Sequence, residues 1–111
     1  MTKPEDLPYF IEGRELIAET PDLRVQILTL EPGEEIPWHF HTEVTDTFIC
    51  LDGPMTVETK AASGTKDLQP DDTYTVTPDK AHRVTGKDGR RCRFVCVQGI
   101  GEHDFIPTEG L

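Results

Sequence analysis

The sequence predicts an all-β fold, a sandwich or barrel of short strands, on three observations. Turn signals built from Gly, Pro and Asp recur every eight to twelve residues. Nine glycines and nine prolines punctuate a chain of 111 residues, too often for long helices. No stretch holds the apolar period of an amphipathic helix over a helix's length. The length suits one domain over residues 1–111, with one modest core.

Taken in order, Met1 to Pro8 is polar and reads as loose chain. Pro8-Tyr-Phe-Ile11 is a short apolar patch without periodic context, suited to covering a barrel mouth or meeting a partner subunit. Glu15 to Glu19 is a first strand and Thr20-Pro-Asp22 a turn. Leu23 to Leu30 is a strand because Leu23, Val25 and Ile27 alternate with Arg24 and Gln26. Glu31-Pro-Gly33 turns the chain into Pro37 to Thr42, a strand with two histidines.

Asp46 to Leu51 is rich in β-branched and aromatic residues. Its two faces, Asp46, Phe48, Cys50 and Thr47, Ile49, Leu51, are both apolar enough for burial on both sides. Asp52-Gly53 signals a hairpin into Met55 to Thr59. A polar loop over Lys60 to Lys66 leads to short strands at Lys66 to Gln69 and Thr73 to Thr77, separated by the turn Pro70-Asp-Asp72. Tyr74 and Val76 share a face of the second. Pro78-Asp-Lys80 turns into Ala81 to Thr85, and Gly86 to Gly89 turns into a long strand over Arg91 to Gln98. Gly99 to Leu111 is a tail.

Composition excludes some functions. A formal charge of −10 repels phosphates and argues against nucleic acid and anionic membrane surfaces. A small anionic ligand is less affected, because it feels local charges. No apolar run approaches the roughly 20 residues that span a bilayer. The N-terminus has no apolar signal core, and the expected location is cytoplasmic. Three cysteines, an odd count, fit free thiols in a reducing compartment. Cys92 and Cys96 lie four apart on one strand, too far apart to bridge.

The chemistry concentrates between Gly33 and Gly53. His39 and His41 flank one residue, and residues two apart on a strand project from one face. Asp46 follows five residues later, within reach of a short connection. His82 lies further on. Two imidazoles and a carboxylate converging in a barrel point to a metal site; ordinary surface imidazoles are the alternative reading of the histidine pair alone.

These positions resemble the cupin family. Gly33, His39, His41, Asp46 and Gly53 fit its first motif: Gly, five residues, His-x-His, four residues, an acid, six residues, Gly. The stretch DDTYTVTPDKAHRV, carrying His82, matches the second motif more loosely, and the two motifs together span about residues 33–86. The resemblance implies a small antiparallel double-stranded β-helix, or jelly-roll barrel. It also implies that His39, His41 and His82 bind one divalent metal, with Asp46 as fourth ligand. Three imidazoles and a carboxylate suit Fe, Mn, Ni, Co or Zn and leave positions open on a six-coordinate ion. The family acid is usually Glu; Asp46 is one carbon shorter, and acts directly, through water or on a histidine. Glu43 is the fallback acid. Asp71 and Asp79 replace usual glycines, and Gly86 a usual Asn.

Other candidates surround this set. Tyr74, if it faces inward, is a candidate general acid beside Asp46. Metal-dependent lyases of this fold use a tyrosine where this chain has Phe48. Phe48, Cys50, Tyr74, Phe94 and Trp38 are pocket walls or plain core, and Trp38, alternating with His39, faces away. Arg83, Arg90, Arg91 and Arg93 either sit near the metal, favouring a carboxylate substrate, or pair with surface acids. His103, as Glu102-His-Asp104, reads as solvated.

The expected function is that of a metal-dependent enzyme, dioxygenase-like or a Lewis-acid isomerase or lyase, acting on a small oxygenated molecule. A binding or sensing module with the same pocket is the second reading, and a metal-free barrel the third. The resemblance also implies a homodimer, with Tyr9-Phe-Ile11 and Phe105-Ile106 covering sheet edges.

Overall fold

The computed structural model describes residues 7, 9, 11, 13–60 and 64–109. Phe10, Ala61 to Ser63 of the polar loop and most of the N-terminal stretch lie outside these. Among the described residues ten strands divide between two antiparallel sheets: β1 (Gly13–Thr20), β2 (Leu23–Leu30), β3 (Glu35–Phe40), β4 (Thr45–Asp52), β5 (Met55–Thr59), β6 (Thr65–Leu68), β7 (Thr73–Val76), β8 (His82–Gly86), β9 (Cys92–Gly99) and β10 (Ile106–Pro107). The first sheet runs β1-β2-β9-β4-β7 and the second β10-β3-β8-β5-β6. From β3 onward nearly every connection crosses between sheets, which is how a jelly roll encloses its core. Among the described residues no helix is long and apolar enough to cross a membrane.

The core is the shared inner face of the two sheets. Leu28 and Leu30, Phe48 and Cys50, Met55 and Val57, Val84, and Cys92, Phe94 and Cys96 are all buried there. Phe48 and Phe94 meet edge to face, centroids 5.8 Å apart, an arrangement worth about 0.5–1.5 kcal/mol beyond area burial. The three cysteines are buried and unbridged.

The inner face is apolar at one end of the barrel and polar at the other. Along β2 it runs Leu30, Leu28, Gln26, Arg24; along β9, Cys92, Phe94, Cys96, Gln98; along β4, Cys50, Phe48, Asp46. The ladder aligns these polar ends, pairing Asp46 with Gln98 and Gln98 with Arg24. One end is thus closed by hydrocarbon and the other is a polar mouth.

Three expectations need correction. Asp52-Gly53 does not close a hairpin. β4 already has β9 and β7 on its two edges, so β5 is carried over into the other sheet. β4 is not buried on both sides: Asp46, Phe48 and Cys50 face inward, whereas Thr47 and Ile49 are half-exposed and Leu51 is 37% exposed. The histidine strand begins at Glu35, earlier than expected, and ends at Phe40, just before His41.

The departures at turn positions are local backbone matters. Asp71 and Asp79 adopt positive φ (77° and 66°), the left-handed region where Asp best replaces Gly. At Gly86 a Cβ would lie 1.6 Å from the Arg90 carbonyl oxygen, so the chain's own close approach demands glycine.

Candidate metal centre

β3 carries a one-residue bulge that sets up the site. Its register against β8 pairs Ile36 with Val84, then His39 with His82: three steps on one strand against two on the other. The extra residue switches parity, so Ile36 and His39 both face inward while Trp38 remains half-buried outside the cavity. His39 and His82 are brought directly opposite, ring centroids 4.2 Å apart. His41 follows the strand end. Its carbonyl accepts the Asp79 N–H at 2.7 Å, which fastens the turn before β8 to it.

Asp46, at the polar end of β4, faces these rings from the other sheet. His39, His41, Asp46 and His82 each offer a ligand atom within 4.8 Å of the others, and all four residues are buried. The short carboxylate reaches: Asp46 Oδ2 lies 2.9 Å from both His41 Nε2 and His82 Nε2. Its other oxygen accepts the Gln98 amide at 3.0 Å. Glu43, the fallback acid, is exposed and accepts the Glu102 N–H instead.

The proton positions follow from the partners. Nδ1 of His39 donates to the Pro37 carbonyl at 2.7 Å, that of His41 to the Asp104 carbonyl at 2.5 Å, and that of His82 to the Lys80 carbonyl at 3.0 Å. A carbonyl only accepts, so each Nδ1 carries a proton. A neutral ring then presents its Nε2 lone pair to the centre. At His41 and His82 that lone pair faces a carboxylate oxygen. Only an added proton or a cation makes that contact attractive. The residues therefore fit a cation between them, with the outer ring nitrogens already anchored as metal-ligating histidines require.

The electrostatics of the metal-free site agree. Burial, then neighbouring His82 and His41, lower the His39 pKa to about 3, so this ring is neutral near pH 7. Burial also pulls His41 down, but the hydrogen bond and charge of Asp46 raise it above its usual value. Burial pushes Asp46 up; hydrogen bonds from His41 and His82 outweigh it and hold the carboxyl well below the usual range.

Residues 26–98 match the family model of the cupin domain. The chain belongs to the cupin family. Among solved structures, this cupin resembles an uncharacterised conserved protein with a double-stranded β-helix domain from Klebsiella pneumoniae (TM-score 0.74, 22% identity, 98% of this chain and 96% of that one). It also resembles KdgF from Halomonas sp. (0.70, 19%, 82% and 80%) and a cupin superfamily protein from Desulfitobacterium hafniense (0.69, 22%, 82% and 84%). At these identities the likeness shows the fold. No curated protein matches the sequence.

The polar mouth of this cupin is a cavity of about 30 Å³, room for one or two waters. His39, His41, Asp46, Gln98, Arg14, Arg24, Gln26, His103, Tyr9 and Phe105 are on its wall, and His82 is not. Of the expected walls only Phe48 lines it; Cys50 and Phe94 are core. Tyr74 does not line it either. The ladder pairs Tyr74 with Phe48, two residues beyond the Asp46 and Val76 pair, and it packs half-buried against the core. It is thus a strand step of about 7 Å away from Asp46.

Of the two readings of the later arginines, pairing with surface acids holds for Arg83 and Arg91. Arg83 pairs with Glu35 and Glu58, and Arg91 with Glu31 and Asp52. The cavity arginines are Arg14 and Arg24, which sequence reasoning missed. Arg24 and Gln26 looked like the outer face of β2 against Leu23, Val25 and Ile27. The one available signal was parity: Leu28 and Leu30 share their face. His103 is buried rather than solvated, and its Nε2 lies 3.1 Å from the Gln98 carbonyl. The tail folds back over the mouth, where Phe105 stacks on His39 at 4.2 Å and 15°.

Proposed function

We propose that this cupin holds one divalent transition-metal ion on His39, His41, His82 and Asp46 and acts as an enzyme on a small oxygenated organic molecule. The observation that carries the proposal is the shared aim of the imidazoles. Three anchored rings turn their Nε2 atoms towards one point beside a carboxylate oxygen, in a buried place where lone pairs otherwise repel. Three imidazoles and one carboxylate suit Fe, Mn, Co, Ni or Zn. The ion would supply Lewis acidity, and iron would add chemistry with dioxygen.

The chain's own residues have definable parts. Gln98 fixes the rotation of Asp46 by donating to Oδ1, which keeps Oδ2 on the rings. The Pro37, Asp104 and Lys80 carbonyls hold the imidazoles in one tautomer. Phe105 covers His39 and keeps bulk water from it.

The test is metal analysis of untagged protein. The expected result is about one equivalent of a divalent transition metal per chain, lost in His39→Ala and His82→Ala with the β-sheet circular dichroism retained. Protein that takes up none of Mn, Fe, Co, Ni or Zn would sink the proposal. A non-catalytic binding module is favoured by the small, covered cavity. Oxygen uptake and product analysis on hydroxy acids, keto acids and diketones separate the two: tight binding without conversion under any metal selects the module.

A further inference from the structure

We propose that Arg14, Tyr9 and Gln26 form a carboxylate-binding subsite in the barrel mouth, making the ligand a small organic acid that presents a second oxygen to His39, His41 and Asp46. The second contact rests on the metal-centred function proposed above; the carboxylate contact does not.

Arg14 is an inward residue of β1. The β1–β2 ladder sets it opposite the buried Leu28, and its side chain lines the cavity. Its guanidinium donates to the Tyr9 hydroxyl at 3.1 Å and, at 3.5 Å, to the Gln26 Oε1, and lies 5.6 Å from the Tyr9 ring centroid. All these partners are neutral. Among the described residues no carboxylate pairs with Arg14.

That sets Arg14 apart from the other arginine of the cavity wall. Arg24, on the same cavity wall, pairs with Glu19 at 2.8 Å. On the outside of the barrel, Arg83 holds two glutamates and Arg91 a glutamate and an aspartate. The chain has 21 acidic residues against 11 basic ones, so counter-charges are abundant. A half-buried guanidinium whose partners among the described residues are neutral offers its planar fork to an incoming carboxylate.

The neighbours add donors of the right kind. The Tyr9 hydroxyl accepts from Arg14, and its own proton has no acceptor among the described residues. Burial keeps that phenol protonated despite the nearby guanidinium. Gln26 is buried, and with its Oε1 turned to Arg14 its amide nitrogen has no partner among the described residues. Three donor groups thus border one cavity, and none of them meets a carboxylate among the described residues. Once a divalent ion is in place, Asp46 offsets only part of its charge, and Arg14 adds to the positive field in the mouth. An organic acid is attracted there despite the protein's overall negative charge.

Calorimetric binding to metal-free and Mn(II)-loaded protein tests this, with acetate, glycolate and lactate as probes and their uncharged amides as controls. At least one acid is expected to bind about tenfold or more tightly than its amide. Arg14→Met should abolish that preference with the Mn content and melting temperature retained. Arg14→Lys should keep the charge and lose the fork, giving an intermediate preference. Tyr9→Phe should weaken acids a few-fold and leave amides alone. Acids and amides binding equally to the wild type, or acids binding R14M as they bind the wild type, would overturn the subsite. Absence of Mn uptake with the preference for acids intact would remove the metal reading and leave the subsite standing.

Discussion

His39 and His41 lie two residues apart in the chain and are driven in opposite directions by where each ring sits. Burial lowers the His39 pKa to about 3, whereas Asp46 raises that of His41. In metal-free protein the folded state therefore denies His39 a proton that the unfolded chain takes up below about pH 6.5. Stability falls as pH drops from about 6.5 towards 3, by up to about 1.4 kcal/mol per unit from this group. His41 has the reverse sign: its contribution is full below about pH 6.5 and is lost as pH rises through its raised pKa. The two together place the stability optimum of metal-free protein near pH 6.5. Scanning calorimetry in chelator across this range should show that maximum, and His39→Gln should flatten its acid side. A melting temperature that does not change between pH 6.5 and 4.5 would contradict the burial of a neutral His39. Excess metal should shift the optimum upward, because ligation requires Nε2 free of protons.

At the scale of elements, the metal candidates were legible because they follow local rules, and their surroundings were not because they depend on register. His39, His41 and Asp46 lie between the end of β3 and the start of β4, close enough in the chain for spacing to place them together. Arg24, Gln26 and Gln98 were hidden by strand alternation, which separates two faces without saying which is inside. On β2 the more apolar-looking set, Leu23, Val25 and Ile27, faces out, because the inner face becomes polar at the mouth. The tail was hidden for another reason. Nothing local in Glu102-His-Asp104 announces that β10 will return to the edge of β3, pairing Ile106 with Phe40 and Pro107 with His39. That return also ties the Asp104 carboxylate to the backbone N–H of Thr42 at 3.1 Å and lays Phe105 over His39. The element therefore both covers a sheet edge and walls the site. Phe105→Ala should keep the metal stoichiometry but speed metal loss to EDTA several-fold, followed by absorbance of the released ion. An unchanged rate would mean that the tail covers the edge without guarding the centre.

The two outer faces of the whole molecule differ in kind. The second sheet is polar outside: Arg83 is bonded to Glu35 and Glu58, and Lys87 and Thr56 to Asp67. The first sheet presents rows of half-exposed apolar side chains. Ile27, Val95 and Ile49 align across β2, β9 and β4, and Val25 and Val97 align beside them. Ile17 on β1 is 52% exposed, and β1 has no partner beyond β2 among the described residues. A contiguous apolar face ending in an open edge strand, on a chain otherwise rich in charge, is a surface to be covered. We propose that a second copy covers it, forming a two-fold dimer in which the same face meets itself. Light scattering after gel filtration should give twice the chain mass at micromolar concentration. Val95→Glu, a charge in the middle of that face and outside the cavity, should give a monomer that keeps its β circular dichroism and its bound metal. A wild type that elutes as a monomer would refute the dimer, and a V95E variant that stays dimeric would move the interface away from this sheet.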